Sequence, residues 1–87
     1  MSNVTRLHPV VRHEFDLPME VLGVLMRQAE PTAGEIAHDI ETHHGRKFRI
    51  AEVVDAIRRL LQLGWRIEAH NDPDGVRYVL VQGGSAA

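Results

Sequence analysis

Residues 50–65 read IAEVVDAIRRLLQLGW, and this segment has the strongest periodicity of the chain. Its apolar residues recur every three or four positions, which is the spacing of the buried face of an amphipathic helix. They are Ile50, Val53, Val54, Ile57, Leu60 and Leu61. Gly64 stands where helices commonly end in a left-handed residue. The segment therefore predicts an amphipathic helix that begins after Arg49 and ends before Gly64.

Beyond Gly64 the apolar residues change to the alternating pattern that is typical of strands. They are Trp65, Ile67 and Ala69, then Val76, Tyr78 and Leu80. The residues between these two runs, NDPDG at 71–75, are all frequent in turns. We predict a β-hairpin with a five-residue loop, in which Trp65 and Tyr78 anchor the hairpin on the helical core.

Two further helices are predicted before residue 50. Asp16 is a suitable N-cap for the first, and Pro31 ends it because the residue before a proline avoids helical geometry. The second starts with TAGE at 32–35, which has the pattern of a capping box. Its narrow apolar edge runs from Ala33 to Ile40, and Gly45 is its predicted end.

This order of elements resembles the winged helix-turn-helix domain, and it is similar to bacterial repressor domains of the biotin-repressor and MarR-like kind. The resemblance is carried by residues 32–37, 53–60, 63–65, 67–69 and 74–78. It implies a small α+β fold with three helices and a two- or three-stranded β-wing. The third helix would be the recognition helix, Asn71–Gly75 the wing loop, and Lys47–Arg49 the short first strand of a three-stranded version.

Length and composition set the domain organisation. The 87 residues suffice for one compact domain, and 44% of them are hydrophobic, which is ordinary for a globular chain. We expect a flexible N-terminus at residues 1–9, a winged helix domain at 10–82 and a disordered tail at 83–87. The chain has no cysteine and no apolar run near the roughly 20 residues that span a bilayer. We therefore expect a cytoplasmic protein with no membrane partner.

The formal net charge is −2, but the charges are segregated. Residues 31–42 contain no Lys or Arg, whereas HHGRKFR at 43–49 contains no acid. We expect a non-enzymatic, double-stranded DNA-binding transcription regulator of bacterial or phage type. Its predicted phosphate contacts are Arg46, Lys47, Arg49, Arg58, Arg59 and Arg77. The residues predicted to face the bases are Ala51, Glu52, Asp55 and Gln62.

A second function stays open, namely a winged-helix adaptor or small phage-type inhibitor that binds a protein. Its predicted surface is the acidic side of the second and third helices, formed by Glu35, Asp39, Glu41, Glu52 and Asp55. The basic residues also have simpler interpretations. HHGRKFR is a solvated loop in that case, Arg58 and Arg59 pair with Asp55 along the helix, and Arg77 pairs with Glu68 across the hairpin.

Nothing in the sequence indicates catalysis, a metal or a cofactor. The two serines lie near the chain ends, and no histidine pair has the spacing of a helical zinc site. We therefore predict no catalytic residues, no metal ligands and no cofactor. A DNA-binding monomer with so few cations would bind weakly, so we expect a homodimer, with the segment Val10–Phe15 as its contact.

Overall fold

A computed structural model of the protein describes residues 15–81. The chain forms three helices followed by an antiparallel hairpin: α1 Leu17–Arg27, α2 Ala33–His44, α3 Ile50–Gln62, β1 Ile67–Asp72 and β2 Gly75–Leu80. This is the predicted α+β fold, and it matches a small winged-helix topology. The predicted N-terminus at 1–9 and tail at 83–87 lie outside the described residues, as does the segment Val10–Phe15 apart from Phe15.

The core is formed by one face of each helix, and the hairpin packs against it. Its buried side chains are Val21, Leu22, Val24, Leu25, Ala33, Ile36, Ile40, Val53, Ala56, Ile57 and Leu60. Half-buried residues of the hairpin, Ile67, Tyr78 and Leu80, pack on this cluster. The predicted anchoring role of Tyr78 is therefore confirmed.

The start of α2 is fixed by the predicted capping box. The Thr32 hydroxyl accepts a hydrogen bond from the Glu35 amide (3.1 Å), and a carboxylate oxygen of Glu35 accepts one from the Thr32 amide (2.9 Å). The start of α3 has only half of such a box. Glu52 accepts from the Arg49 amide (2.8 Å), but an arginine side chain has no acceptor with which to reciprocate.

Helix α1 ends earlier than predicted. Its last residue is Arg27, and Ala29 lies beyond the helix and is exposed. The backbone leaves helical geometry at Gln28, which is extended (φ −109°, ψ 144°), and Glu30 then adopts a positive φ of 51°. A short loop therefore connects α1 to α2, and Pro31 in this loop is fully buried.

The hairpin has a tighter turn than the predicted five-residue loop. Asn71 pairs with Val76 and Asp72 with Gly75, so only Pro73 and Asp74 remain in the turn. Gly75 has a φ of 135°, a region that favours glycine. The prediction was wrong because turn-forming side chains do not prevent the flanking backbone from continuing the ladder.

Of the two predicted versions of the β-wing, the structure has the two-stranded one among the described residues, and Lys47–Arg49 is not a strand. The extra pairing is made instead by Thr32, which forms an isolated antiparallel bridge with Arg77. Residues 47–49 do not pair because they lead directly into α3, with Arg49 as its N-cap.

Three apolar residues predicted to be buried are exposed. Ile50 and Leu61 are 50% and 46% exposed, since the buried face of α3 is centred on Val53, Ala56, Ile57 and Leu60 and they lie at its edge. Trp65, predicted to anchor the hairpin, is 39% exposed and is not among the side chains that pack on the core. None of the helices within residues 15–81 is long and apolar enough to cross a membrane.

Candidate nucleic-acid interface

The segment between α2 and α3, residues 45–49, is exposed except for Phe48, and we call it the basic turn. Gly45 ends α2 in the left-handed region (φ 71°), and its amide donates to the Glu41 carbonyl (2.8 Å). Three cations, Arg46, Lys47 and Arg49, follow within four positions. Within residues 15–81, no carboxylate lies at ion-pair distance from any of them. With respect to the described residues, the charges of these three cations are therefore available to an anionic ligand.

The basic turn is held by aromatic contacts with the chain that enters α1. The rings of Phe15 and Phe48 stack in parallel, with centroids 5.4 Å apart and an interplanar angle of 9°. The Arg46 guanidinium lies over both rings, 4.5 Å from the Phe15 centroid and 5.5 Å from that of Phe48. We call these three residues the aromatic clamp.

His44, the last residue of α2, extends the clamp to α1. Its ring meets Phe15 edge-on, with centroids 5.3 Å apart, and its Nε2 lies 2.8 Å from a carboxylate oxygen of Glu20. Side chains from α1, α2 and the basic turn therefore meet around Phe15. This contact was not predicted from the sequence, because Phe15 and Phe48 are separated by two helices and neither belongs to a helical stripe.

The face of α3 that points away from the core carries all four residues predicted to face the bases and two of the predicted phosphate contacts. Its exposed residues are Ala51, Glu52, Asp55, Arg58, Arg59 and Gln62. Arg58 donates to Asp55 (2.8 Å), one turn earlier, as the alternative interpretation predicted. That pair is neutral as a unit. Arg59 has no carboxylate within ion-pair distance among residues 15–81. The exposed face of α3 begins directly after the basic turn.

Arg77, the last of the predicted phosphate contacts, is ion-paired, unlike the cations of the basic turn. Its guanidinium pairs with Asp72 (2.7 Å), Asp74 (3.1 Å) and Glu35 (3.4 Å), and it donates to the Glu30 carbonyl (3.0 Å). Hydrogen bonds to the two aspartates raise its pKa above the ordinary value. Arg77 therefore connects the hairpin turn to the start of α2, with its charge offset by three carboxylates.

The predicted pairing of Arg77 with Glu68 is wrong, because the strand register places Arg77 opposite His70 and Glu68 opposite Val79. Glu68 instead lies 3.2 Å from His70, two residues along the same strand. The partners of Arg77 are on the hairpin turn and on α2, which strand alternation alone does not reveal.

The acidic surface predicted for a protein partner is divided by the fold. The Asp39 side chain is only 11% exposed and accepts hydrogen bonds from Arg27 (2.8 Å) and Gln28, with His43 at 2.9 Å. Burial raises the pKa of Asp39, but the bonds from Gln28 and Arg27 outweigh it and leave the pKa below 3.8. Asp39 thus joins α1 to α2. Glu35 and Glu52 accept backbone amides at the helix starts, although both remain exposed.

A second surface feature lies between α3 and the hairpin. The hairpin and the starts of α2 and α3 enclose an open groove of about 370 Å³, whose apolar lining includes Ile50, Val54, Val76 and Tyr78. Asp74 lies at its edge. Among residues 15–81, no three His, Cys, Asp or Glu side chains are arranged to hold a metal ion.

The chain was compared with protein-family models, with curated proteins and with solved structures, and none of the three comparisons found a significant match.

Proposed function

We propose that the protein is a non-enzymatic, double-stranded DNA-binding regulator of transcription, of bacterial or phage type and of the winged helix-turn-helix class. The observation that carries the proposal is the placement of the basic turn. It presents three cations at the start of α3, the helix that corresponds to the recognition helix of that class, and no carboxylate of residues 15–81 pairs with them.

In this proposal the basic turn binds phosphates. Arg46, Lys47 and Arg49 neutralise backbone charge, and the positive end of the α3 dipole lies next to them and adds to the attraction. The contacts of the turn orient the protein on the duplex and carry no sequence information themselves. Base recognition is assigned to the exposed face of α3, chiefly Ala51, Asp55 and Gln62.

The acids on α3 affect how strongly this face binds DNA. Asp55 is paired with Arg58, and Glu52 accepts the Arg49 amide, so both have favourable local partners. At a base edge a carboxylate accepts from the cytosine amino group, but elsewhere it is repelled by phosphates. A monomer with this charge balance binds weakly, which favours a homodimer on a two-fold site.

The test is a fluorescence anisotropy titration of a labelled random-sequence duplex at two salt concentrations. We expect micromolar binding that weakens several-fold when the salt doubles. The double variant Lys47→Gln/Arg49→Gln should weaken binding and flatten the salt dependence. Arg66→Gln is a matched control, because Arg66 is also exposed and lies before the hairpin. An absence of binding at low salt, or an equal loss in the control, would overturn the proposal.

A protein partner is the second candidate, and the groove between α3 and the hairpin is the observation that favours it. Ile50 is half exposed there, and Val76 is also exposed. Apolar side chains that stay open on a small domain are frequent at protein-binding surfaces. If the duplex titration fails, the variants Ile50→Ser and Val76→Ser then test this groove, each with Met26→Ser as an exposed control on α1.

A further inference from the structure

Phe15, an uncharged residue of the aromatic clamp, contacts the proposed DNA-binding segment from outside it. Phe15 is in contact with both sides of the basic turn: its ring stacks on Phe48 and carries the Arg46 guanidinium, while His44 meets its edge. Residues 46–48 have neither helical nor strand hydrogen bonding, which resumes at Arg49, where the carbonyl accepts from the amides of Glu52 and Val53. The side-chain contacts of the clamp are thus a principal constraint on this segment.

We propose that Phe15 is a positioning residue for DNA binding, which holds the basic turn in the conformation that engages phosphates. The inference rests on the proposed function. Its physical basis is preorganisation, because a segment that is already ordered loses less conformational entropy when it binds. Phe15 orders the turn from outside it, through Phe48 within the turn and through the stacked cation.

The aromatic ring gives Phe15 a specific role that an aliphatic side chain of similar size cannot fill. The parallel stack and the cation over the ring both depend on the π-face, whereas packing on the helical core depends only on apolar bulk. Phe15→Leu should therefore keep the protein folded and release the turn. Phe15→Tyr keeps the ring and should leave the turn ordered.

The salt dependence separates positioning from direct contact. The slope of log affinity against log salt counts the phosphates that are neutralised, and Phe15 neutralises none. We expect Phe15→Leu to lower DNA affinity about 3- to 10-fold with an unchanged slope, since one or two side chains lose their fixed position. Arg46→Gln should lower both the affinity and the slope. Met19→Ala, at an exposed position of α1, is the control that should change neither.

A second measurement needs no DNA. The bonds after Arg46, Lys47 and Arg49 are trypsin sites, and cleavage under native conditions requires the turn to open. Phe15→Leu should be cleaved there several-fold faster than the unaltered protein, while Phe15→Tyr and Met19→Ala are cleaved at the original rate. This cleavage decides whether Phe15 orders the turn even if the duplex titration fails and the proposed DNA binding is wrong.

The positioning role is overturned if Phe15→Leu leaves the cleavage rate unchanged, or if Phe15→Tyr loses affinity and protection as fully as Phe15→Leu. It is also overturned if a binding-competent protein keeps its full DNA affinity after Phe15→Leu. Thermal unfolding of each variant is measured alongside, so that a rate caused by global unfolding is recognised by a matching fall in Tm.

Discussion

The amide of Tyr78 donates a hydrogen bond to the carbonyl of Pro31 at 2.9 Å, and this contact attaches the hairpin to the helices. Pro31 is fully buried, and the next residue, Thr32, forms the isolated bridge with Arg77. The loop between α1 and α2 therefore does two things: it begins α2, and it pairs with β2. The hairpin is held on the helices by this backbone contact, by the packing of Ile67, Tyr78 and Leu80 on the core, and by the contacts of Arg77 with Glu35 and the Glu30 carbonyl.

The capping box at this junction is testable by Thr32→Ala. The change removes the hydroxyl that accepts the Glu35 amide, so α2 loses a partner for one of its first amides. We expect the free energy of unfolding to fall by about 1 kcal/mol, measured by urea denaturation. Thr42→Ala, an exposed position inside the same helix, should change it much less. Equal effects of the two changes would show that the cap does not stabilise α2.

The neighbouring residues Leu60 and Leu61 test which face of α3 is buried. Leu60 is fully buried and Leu61 is 46% exposed. Leu60→Ala leaves a cavity and should cost about 2–5 kcal/mol, whereas Leu61→Ala should cost well under half of that. Chemical denaturation measures both. A larger loss for Leu61 would mean that the helix is rotated relative to the described core.

Asp39 predicts a pH dependence of stability. Its pKa is lowered in the folded protein, so its ionised form contributes stability that is fully present above 3.8, the ordinary value, and is lost as the pH falls through the native pKa. Asp39→Asn should destabilise the protein at neutral pH, and the difference from the unaltered protein should shrink at about pH 3. Urea denaturation at both pH values measures this.

The matched control for Asp39 is Asp55→Asn, which makes the same chemical change at a side chain that is 70% exposed. An exposed pair such as Asp55 and Arg58 contributes only a few tenths of a kcal/mol, so little change is expected at either pH. The assignment of Asp39 fails if its difference from the unaltered protein is the same at both pH values.

The proposed DNA-binding face makes a further prediction, in the direction of a gain. Asp55→Asn removes a negative charge from the exposed face of α3 and releases Arg58 from its ion pair. At low salt we expect duplex affinity to rise about 2- to 5-fold, since repulsion from phosphates decreases. The anisotropy titration measures it, with Glu68→Gln on the hairpin as control. The random-sequence duplex presents no fixed base to Asp55, so this titration reports repulsion from phosphates, and a fall in affinity would contradict the prediction.

Much of the fold could be predicted because its signals are local. The capping box of Thr32 and Glu35 lies within four residues, and the period of α3 repeats within every turn. The strands follow from alternation after Gly64. Errors occurred where local signals compete with the backbone, as at the hairpin turn, or where the edge of a helical stripe had to be judged, as for Ile50 and Leu61.

For the candidate site, the sequence located the basic turn and the outward face of α3, because runs of charge and helical spacing are visible in one dimension. It placed Arg77 with the wrong partners, and it assigned Phe15 to the dimer contact rather than to the basic turn. Both residues contact side chains that are distant along the chain. Such contacts depend on how the helices pack, and no periodic pattern carries that information.

By itself, then, the sequence determined the type and order of the elements and the segregation of charge, since capping, periodicity and turn chemistry act between near neighbours. Only the tertiary structure decided which charges remain available. It surrounds Arg77 with Asp72, Asp74 and Glu35, it encloses Asp39 between α1 and α2, and it stacks Arg46 on Phe15. The physical reason is that ion pairs and aromatic stacks form at distances of a few ångströms, which packing alone creates between residues far apart in the chain.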